Sequence, residues 1–272
     1  MSRSFDRPTS ALGPKSDVVT GARDLLQNKN RRTRNQFLVE GPQGVEAALQ
    51  AELVSSIFVA DWDTELAVIA REHGVRVNLV TTPAMEALSE TVSPQGIVAV
   101  CSIPDVSLED VLATKPRQLA VCVGISDPGN LGTIIRTAAA SGVDAVITTA
   151  GSVDAWSGKV VRATAGTFTS VPVIAGLDES MLRRALQANN FTMLATTGGA
   201  AHDIYDKTIV EMYTKPHAWL LGNEAHGLPE QWLFDGVVQV KIPMEREVES
   251  LNVASAAAVC FFASQFAQRF SA

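Results

Sequence analysis

The chain has 272 residues, 46% of them hydrophobic, enough to fill the core of one large domain or two smaller ones. It contains no run of about 18 apolar residues that would cross a membrane, and its first residues lack the apolar centre of a secretory signal, so we expect a cytoplasmic protein. The three cysteines, Cys101, Cys122 and Cys260, have no metal-ligand spacing, which predicts buried, reduced thiols and no metal site.

The net charge of −7 is unevenly distributed. Residues 1–40 contain eight Lys and Arg against four Asp and Glu, a local charge of +4 that leaves −11 for the remainder. Because salt confines the field of each patch to about 10 Å, a basic segment on an acidic body can still meet phosphate. The run KNRRTR therefore offers a candidate nucleic-acid contact, with a solvated basic tail as the alternative; its cations are Lys29, Arg31, Arg32 and Arg34.

The first part of the chain alternates between strand and helix patterns. Residues 1–17 have little apolar periodicity and are predicted to be disordered, with ordered structure beginning near Val18. The following segments read as a strand and helix in FLVEGPQGVEAAL, strands SSIFVA, VRVNLV and GIVAVCSI, and helices TELAVIAREHG and TPAMEALSE. This alternation predicts a compact α/β domain at 18–107, and a connection at 104–117 leads to the next one.

The second part repeats the alternation with more continuously apolar strands, which indicate a mostly parallel sheet covered on both faces. Its predicted strands are LAVCVGIS, DAVITTA, VPVIAG, FTMLATT, AWLLGN and VVQVKIPM; its predicted helices are 129–141, GKVVRATAG, ESMLRRALQANN, PEQWLFD and 251–270. Ligands of such sheets lie at the carboxyl ends of the strands. We therefore expect functional loops after Ser126, Thr196, Leu221 and Met244.

The first unusual loop is SDPGNLGTIIRTAAASG, residues 126–142. Asn130 is a candidate N-cap for a helix that begins near Leu131. Arg136 lies six residues further on, about 9 Å along the helix axis, among small residues. An arginine in that position suits the binding of phosphate. The alternative is that Asn130 only caps the helix and Arg136 is only a surface cation.

The second loop is LLGNEAHGLPE, residues 220–230. Gly222 allows close approach of the backbone, Gly227 allows a positive φ, and Pro229 can begin a helix. Glu224 has no cation nearby in the sequence, and we interpret His226 as a loop residue rather than a base.

The third loop, in IPMEREVESLNVASAAAV, joins a strand to a helix that Ser250 or Asn252 caps. The small residues at the start of that helix favour close packing, in a tight core or a dimer interface. No GxGxxG follows a strand, no P-loop is present, and no Ser/His/Asp order is compelling. Spacing alone thus predicts an α/β protein with a ligand pocket where three loops converge.

In this order, the three loops resemble the motifs of the SpoU (TrmH) branch of the SPOUT RNA methyltransferases, over residues 118–270. The preceding part is similar to the family's L30e-like substrate-binding domain. The resemblance implies a methyltransferase domain at 108–272 whose parallel sheet contains a deep trefoil knot. It also implies a homodimer through that domain and S-adenosyl-methionine as cofactor.

The implied reaction moves a methyl group onto a ribose 2′-hydroxyl of RNA. By the resemblance, the cofactor pocket is lined by Thr196, Gly222, Ile242 and Leu251, and the polar groups of the active site are Arg136, Asn130, Glu224, Ser250 and Asn252. Arg136 matches the family's proposed activator. Because a free guanidinium is a very weak base, we assign Arg136 to orienting phosphate and stabilising the alkoxide.

An L30e-like domain favours a structured RNA, and ribosomal RNA, most of all 23S ribosomal RNA, is the expected substrate. A tRNA substrate and an antibiotic-resistance role stay open. So do two other classes of protein: a non-catalytic RNA-binding protein on the same fold, and an unrelated α/β enzyme for small molecules.

Overall fold

The computed structural model describes residues 7–245 and 250–270. These form two compact units: unit 1 comprises Met1–Asp105 and Trp156–Thr169, and unit 2 comprises Val106–Ala155 and Ser170–Ala272. The boundary after Asp105 lies beside the expected one. Residues 156–169, which the sequence pattern assigns to the C-terminal domain, pack within unit 1 instead. The physical reason is aromatic: the Phe37 ring lies 4.9 Å from the Trp156 ring and 5.8 Å from the Phe168 ring, and all three are buried.

Unit 1 contains a four-stranded mixed sheet with the order β1-β4-β2-β3. In it β4 is antiparallel to β1 and β2, while β2 and β3 are parallel. In chain order the elements are α1 (Asp17–Arg23), α2 (Asn28–Arg34), β1 (Gln36–Glu40), α3 (Pro42–Gln50), β2 (Val54–Val59), α4 (Glu65–Glu72), β3 (Arg76–Leu79), α5 (Thr82–Leu88) and β4 (Ile97–Ser102). The alternation of strands and helices is as expected, but α1 and α2 were not anticipated, because helices of seven residues carry only two turns of apolar periodicity.

The N-terminal segment is partly ordered. Leu12 forms a parallel bridge with Val80: its N–H donates to the Leu79 carbonyl at 2.8 Å, and its carbonyl accepts from Thr81 N–H at 3.0 Å. This pairing satisfies backbone groups at the edge of the sheet. The Ser16 hydroxyl then caps α1. The structure therefore differs from the expected disordered tail over residues 12–16; residues 1–6 lie outside the described part.

Unit 2 contains a seven-stranded sheet of order β7-β6-β5-β10-β8-β11-β9, parallel in every pairing between described strands. The remaining elements, in chain order, are α6 (Leu108–Ala113), β5 (Gln118–Cys122), α7 (Pro128–Ser141), β6 (Ala145–Thr149), α8 (Gly158–Ala163, in unit 1), β7 (Val173–Leu177), α9 (Glu179–Ala188), β8 (Thr192–Thr196), β9 (His202–Asp203), α10 (Lys207–Tyr213), β10 (His217–Leu221), β11 (Val237–Lys241) and α11 (Val253–Phe270). The predicted parallel sheet is confirmed. The segment predicted as a short helix near Trp232 is a single 3₁₀ turn at Glu230–Trp232.

The core of unit 2 follows from its apolar strands. Every residue of β5, β6 and β10 is buried, which explains why those strands read as continuous apolar runs. Helix α7 buries Ile134, Ile135 and Ala138. Helix α11 packs against α7 and buries Ala254 and Ala257, so part of its small-residue stripe serves internal packing. No helix within residues 7–245 and 250–270 is long and apolar enough to span a membrane.

Candidate active site

The three predicted loops meet at one edge of the unit 2 sheet. They follow the carboxyl ends of β5, β10 and β11, and the loop after β8 joins them, around a cavity of about 520 Å³. The predicted site residues that line it are Asn130, Thr196, Gly222, Glu224, Ile242, Ser250, Leu251 and Asn252. Because strands of a parallel sheet end at the same edge, residues up to 122 positions apart in sequence come together here.

The Glu224 carboxylate is bound by four donors. Its Oε2 accepts from the backbone N–H (3.1 Å) and the hydroxyl (2.9 Å) of Ser126, and its Oε1 accepts from Asp127 N–H (3.1 Å) and Asn130 Nδ2 (2.9 Å). Burial raises the pKa of Glu224, but these hydrogen bonds outweigh it and hold the pKa at about 2. Hydrogen-bond donors, rather than a cation, therefore stabilise the Glu224 carboxylate, and Glu224 is ionised at neutral pH.

Asn130 connects Glu224 to Asn252. Since a carboxylate only accepts, Asn130 must present its Nδ2 to Glu224 and its Oδ1 to Asn252, whose Nδ2 donates at 2.8 Å. The Asn252 Oδ1 in turn accepts from Ala254 N–H (2.9 Å) and Ser255 N–H (3.3 Å), which makes Asn252 the N-cap of α11. The network fixes both amide orientations and joins one residue from each of the three loops.

The cap of α7 differs from the prediction. The helix begins at Pro128, and the Asp127 carboxylate accepts from Asn130 N–H at 2.8 Å, so Asp127 is the N-cap. Proline suits the first helical position because it lacks the N–H that a cap would have to satisfy. Asn130 lies inside the first turn, which frees its side chain for Glu224 and Asn252.

Gly222 is required for a different reason from the one expected. A Cβ on this residue would lie 2.4 Å from the Gly227 carbonyl carbon and 2.5 Å from Leu228 N, so it would strike the protein's own backbone before any ligand. That backbone is close because Asn223 and Gly227 exchange two backbone hydrogen bonds of 3.0 and 2.8 Å. Gly227 closes the turn with the expected positive φ of 67°, and His226 is an exposed residue of this turn.

Thr197 is a cavity residue that the sequence reading missed. Thr197 lines the cavity, and its hydroxyl is buried with no hydrogen-bond partner within the part of the chain that the structure describes. An unpaired buried hydroxyl costs free energy unless a ligand or water completes it. The available signal was the position of Thr197 directly after Thr196, the last residue of β8, because it follows the carboxyl end of a strand.

Arg136 lies apart from the cavity wall. Its side chain is exposed on α7, two turns beyond Asn130, and makes no hydrogen bond or ion pair with any described residue. Its guanidinium is therefore available to an external anion.

The basic segment does not present all its cations to solvent. Arg31 is 5% exposed and its Nη1 donates to the carbonyls of Leu25 and Leu26, both at 2.8 Å. The prediction that Arg31 contacts RNA is therefore corrected: it holds the turn between α1 and α2. Arg34 is exposed but pairs with Asp24 at 3.0 Å and with the Gly21 carbonyl at 2.6 Å. Lys29 and Arg32 are exposed.

Among the residues that the structure describes, no three His, Cys, Asp or Glu side chains gather into a group that could hold an ion. The three cysteines are free and buried, as predicted.

Comparison with known proteins matches both parts of the chain. Residues 118–262 match the SpoU rRNA Methylase family model, and residues 17–99 match the MRM3-like substrate binding domain. RlmP of Bacillus subtilis (strain 168), a 23S rRNA (guanosine(2553)-2′-O)-methyltransferase, is 34% identical over 91% of this chain and 96% of its own length.

Two crystal structures extend this likeness. An RNA 2′-O ribose methyltransferase aligns with a TM-score of 0.77 and 28% identity over 96% of this chain and 99% of its own. An AdoMet-bound rRNA methyltransferase from Sinorhizobium meliloti aligns with a TM-score of 0.79 and 25% identity over 94% of this chain and 98% of its own.

Proposed function

Because this chain belongs to the SpoU rRNA methylase family, we propose that it transfers a methyl group from S-adenosyl-methionine to a ribose 2′-hydroxyl of 23S ribosomal RNA. The observation that carries the proposal is the hydrogen-bonded chain Glu224–Asn130–Asn252, which joins all three loops at the wall of one cavity. Such a constellation positions two reactants, and positioning supplies several kcal/mol of a bimolecular barrier. The RNA class follows the 23S rRNA methyltransferase that this chain matches over most of its length.

The cavity fits the proposed cofactor. Its volume of about 520 Å³ lies within the range of small-molecule sites, and it combines apolar walls at Ile242, Leu251 and Val253 with polar groups. The unpaired Thr197 hydroxyl offers a hydrogen bond that the described protein does not complete. We assign cofactor binding to Thr196, Gly222, Ile242 and Leu251, with Thr197 beside them. When bound, S-adenosyl-methionine supplies the methyl group on a positively charged sulfur.

Glu224 positions the loops and does not act as a base. Four donors occupy its two oxygens, and its pKa of about 2 makes it a very weak proton acceptor at neutral pH. It fixes Asn130, which with Asn252 holds the start of α11 against the start of α7. Ser250 adds a hydroxyl at the exposed lip of the cavity.

Arg136 binds the substrate's phosphate and stabilises the 2′-oxyanion. Its exposed guanidinium stands on the same helix as Asn130, about 9 Å along the axis, and a guanidinium stays protonated at neutral pH. Donors aimed at developing negative charge lower a barrier without needing to take a proton.

Unit 1 binds the RNA. Its residues 17–99 match a substrate-binding domain, and Lys29, Arg32 and Arg34 provide exposed cations on α2. Together with unit 2 this makes a two-domain enzyme: the substrate domain comprises 18–107 with the segment 156–169 packed into it, and the methyltransferase domain comprises the rest of 108–272.

The remaining features of the proposal concern assembly. The methyltransferase domain contains a trefoil knot, a proposal supported by the position of β10 between β5 and β8 in the sheet. A crystal structure in which the chain is traced through residues 222–252 tests the knot. The protein is a homodimer through the C-terminal domain, because α11 leaves Phe262, Phe266 and Phe270 exposed beside an apolar groove of about 480 Å³. Sedimentation of wild type and Phe266→Asp tests this, a dimer becoming a monomer in the variant. It acts in the cytoplasm, which fractionation of cells checks.

The decisive experiment compares ribose methylation in RNA from cells with and without the gene. We expect one 2′-O-methyl group in 23S rRNA to disappear with the gene and to return with the wild-type chain but not with Arg136→Ala. In parallel, purified protein is given labelled S-adenosyl-methionine and either 23S rRNA or tRNA. Transfer to tRNA alone would overturn the ribosomal assignment. Unchanged transfer by Arg136→Ala, at equal melting temperature, would remove Arg136 from the mechanism.

A further inference from the structure

A second cavity, of about 370 Å³, lies within unit 1. It forms between the β1–α3 turn, the loop before β4, and the end of α8 with the residues after it. The residues that matter in its lining are Glu40, Gln43, Thr91, Ser93, Gln95 and Arg162. Gly41 opens one wall: its φ of +89° disfavours a side chain, and an added Cβ would lie 2.5 Å from Gln95 Oε1.

The floor of this cavity is a fixed ion cluster. Arg162 Nη1 lies 3.2 Å from Glu40 Oε2 and 3.2 Å from Glu90 Oε2, and the Glu40 side chain is only 8% exposed. The hydroxyls of Ser89 and Thr91 both donate to Glu40 Oε1. Both carboxylates contact Nη1 of Arg162, and the plane of a guanidinium is suited to stacking on a flat group.

The charge of the cavity selects its ligand. Two carboxylates against one guanidinium leave one excess negative charge, which repels phosphate and favours a neutral group rich in N–H donors. Gln43 and Gln95 are exposed at the rim, and their side-chain amides make no hydrogen bond with any residue in the described ranges. Side-chain amides beside a guanidinium plane match a nucleobase rather than the phosphate backbone.

We propose that this cavity binds one unstacked base of the RNA substrate, with Gln43 and Gln95 reading the base edge above the Arg162–Glu40–Glu90 cluster. A base reaches it only from a loop, bulge or end, since the grooves of A-form RNA do not present the edge for such insertion. The inference rests on the proposed function, and it gives unit 1 a base-reading role distinct from the phosphate contacts of α2.

The test measures the affinity of the full-length protein for a 23S rRNA transcript by filter binding across a salt series. Gln43→Ala and Gln95→Ala each remove a side-chain amide without touching the ion cluster. We expect each variant to raise both the Kd and the KM for the transcript about tenfold, because each loses its amide contacts to the base edge. The salt slope, kcat and the affinity for S-adenosyl-methionine should stay unchanged. Gln50→Ala, an exposed glutamine at the end of the same helix α3, is the matched control and should bind as wild type.

The outcomes separate this inference from the proposed function. A wild-type protein that methylates the transcript while both variants bind it normally would overturn the base pocket alone. A weaker affinity accompanied by a smaller salt slope would assign the two glutamines to phosphate and would also overturn it. A wild-type protein that transfers no methyl group speaks against the proposed function, while the Kd series still decides whether the cavity binds RNA.

Discussion

Asn252 and Asn130 are joined by a 2.8 Å hydrogen bond across 122 positions of sequence. Asn252 has two separable tasks, because its Oδ1 caps α11 while its Nδ2 holds Asn130. Serine is as good an N-cap as asparagine, but it has no side-chain amide nitrogen to donate to Asn130.

Asn252→Ser should therefore keep the melting temperature near the wild-type value while lowering kcat at least tenfold. Asn252→Ala should lose the cap as well, at a cost of about 1 kcal/mol in unfolding free energy. Thermal melting and methyl transfer onto 23S rRNA, measured on both variants, distinguish the two tasks. Equal activity of Asn252→Ser and wild type would show that the bond to Asn130 does not serve the reaction.

The pKa of Glu224 predicts how stability depends on pH. Its folded value of about 2 is below the ordinary value of 4.5, so ionised Glu224 stabilises the fold above pH 4.5, and this contribution is lost as pH falls from 4.5 towards 2. Glu224→Gln removes the titrating group and places an amide nitrogen against N–H donors. The variant should be less stable at pH 7, and its deficit relative to wild type should shrink at pH 3. Urea unfolding at both pH values measures it; a deficit that grows at pH 3 would contradict the assignment.

Part of this site could be predicted from the sequence and part could not. The three loops and their shared edge follow from apolar strands and their carboxyl ends, and the structure brings the predicted cofactor and active-site residues together around one cavity, except Arg136. The reason for Gly222 could not be predicted, because it depends on how closely the Asn223–Gly227 turn folds back. Likewise Thr197 is notable only because its hydroxyl is left without a described partner.

The same limit applies to packing. In sequence, Arg31 is indistinguishable from its neighbours in the run KNRRTR, and its burial depends on the carbonyls of Leu25 and Leu26, in a 3₁₀ turn at Asp24–Leu26. The assignment of residues 156–169 to unit 1 depends on two aromatic rings meeting Phe37, more than 100 residues earlier in the chain. Local periodicity carries no information about such contacts.

A buried network in unit 2 provides a prediction independent of the active site. His217 Nδ1 donates to the carbonyl of Lys215 at 2.8 Å. The other ring nitrogen of neutral His217, Nε2, must then accept, and its donor is the Ser264 hydroxyl at 2.9 Å. The oxygen of that hydroxyl accepts in turn from Trp219 Nε1 at 2.9 Å. Ser264→Ala leaves His217 Nε2 and Trp219 Nε1 without their hydrogen bonds and should cost about 2–4 kcal/mol of unfolding free energy. Ser255→Ala, at an exposed position of the same helix, is the control and should cost less than about 0.5 kcal/mol.

The pKa of His217 also predicts how the stability of the fold depends on pH. Burial is the main cause that lowers its pKa, from 6.5 to about 4. Because the neutral form is favoured in the folded state, this contribution is complete above pH 6.5 and is lost as pH falls from 6.5 towards 4. His217→Gln should flatten the stability profile in that window. An unchanged profile between pH 6.5 and 4 would show that His217 does not titrate differently on folding.

The basic helix α2 separates phosphate binding from stability. Arg32 is exposed, so Arg32→Ala should weaken binding of 23S rRNA and reduce the salt slope by about one, with no change in melting temperature. Arg31 is buried and its guanidinium donates to two backbone carbonyls, so Arg31→Ala should lower the melting temperature instead. Filter binding across a salt series and thermal melting, applied to both variants, decide between the two roles. A loss of salt slope in Arg31→Ala at wild-type stability would return Arg31 to the RNA surface, because it would show that its guanidinium leaves those carbonyls to meet phosphate.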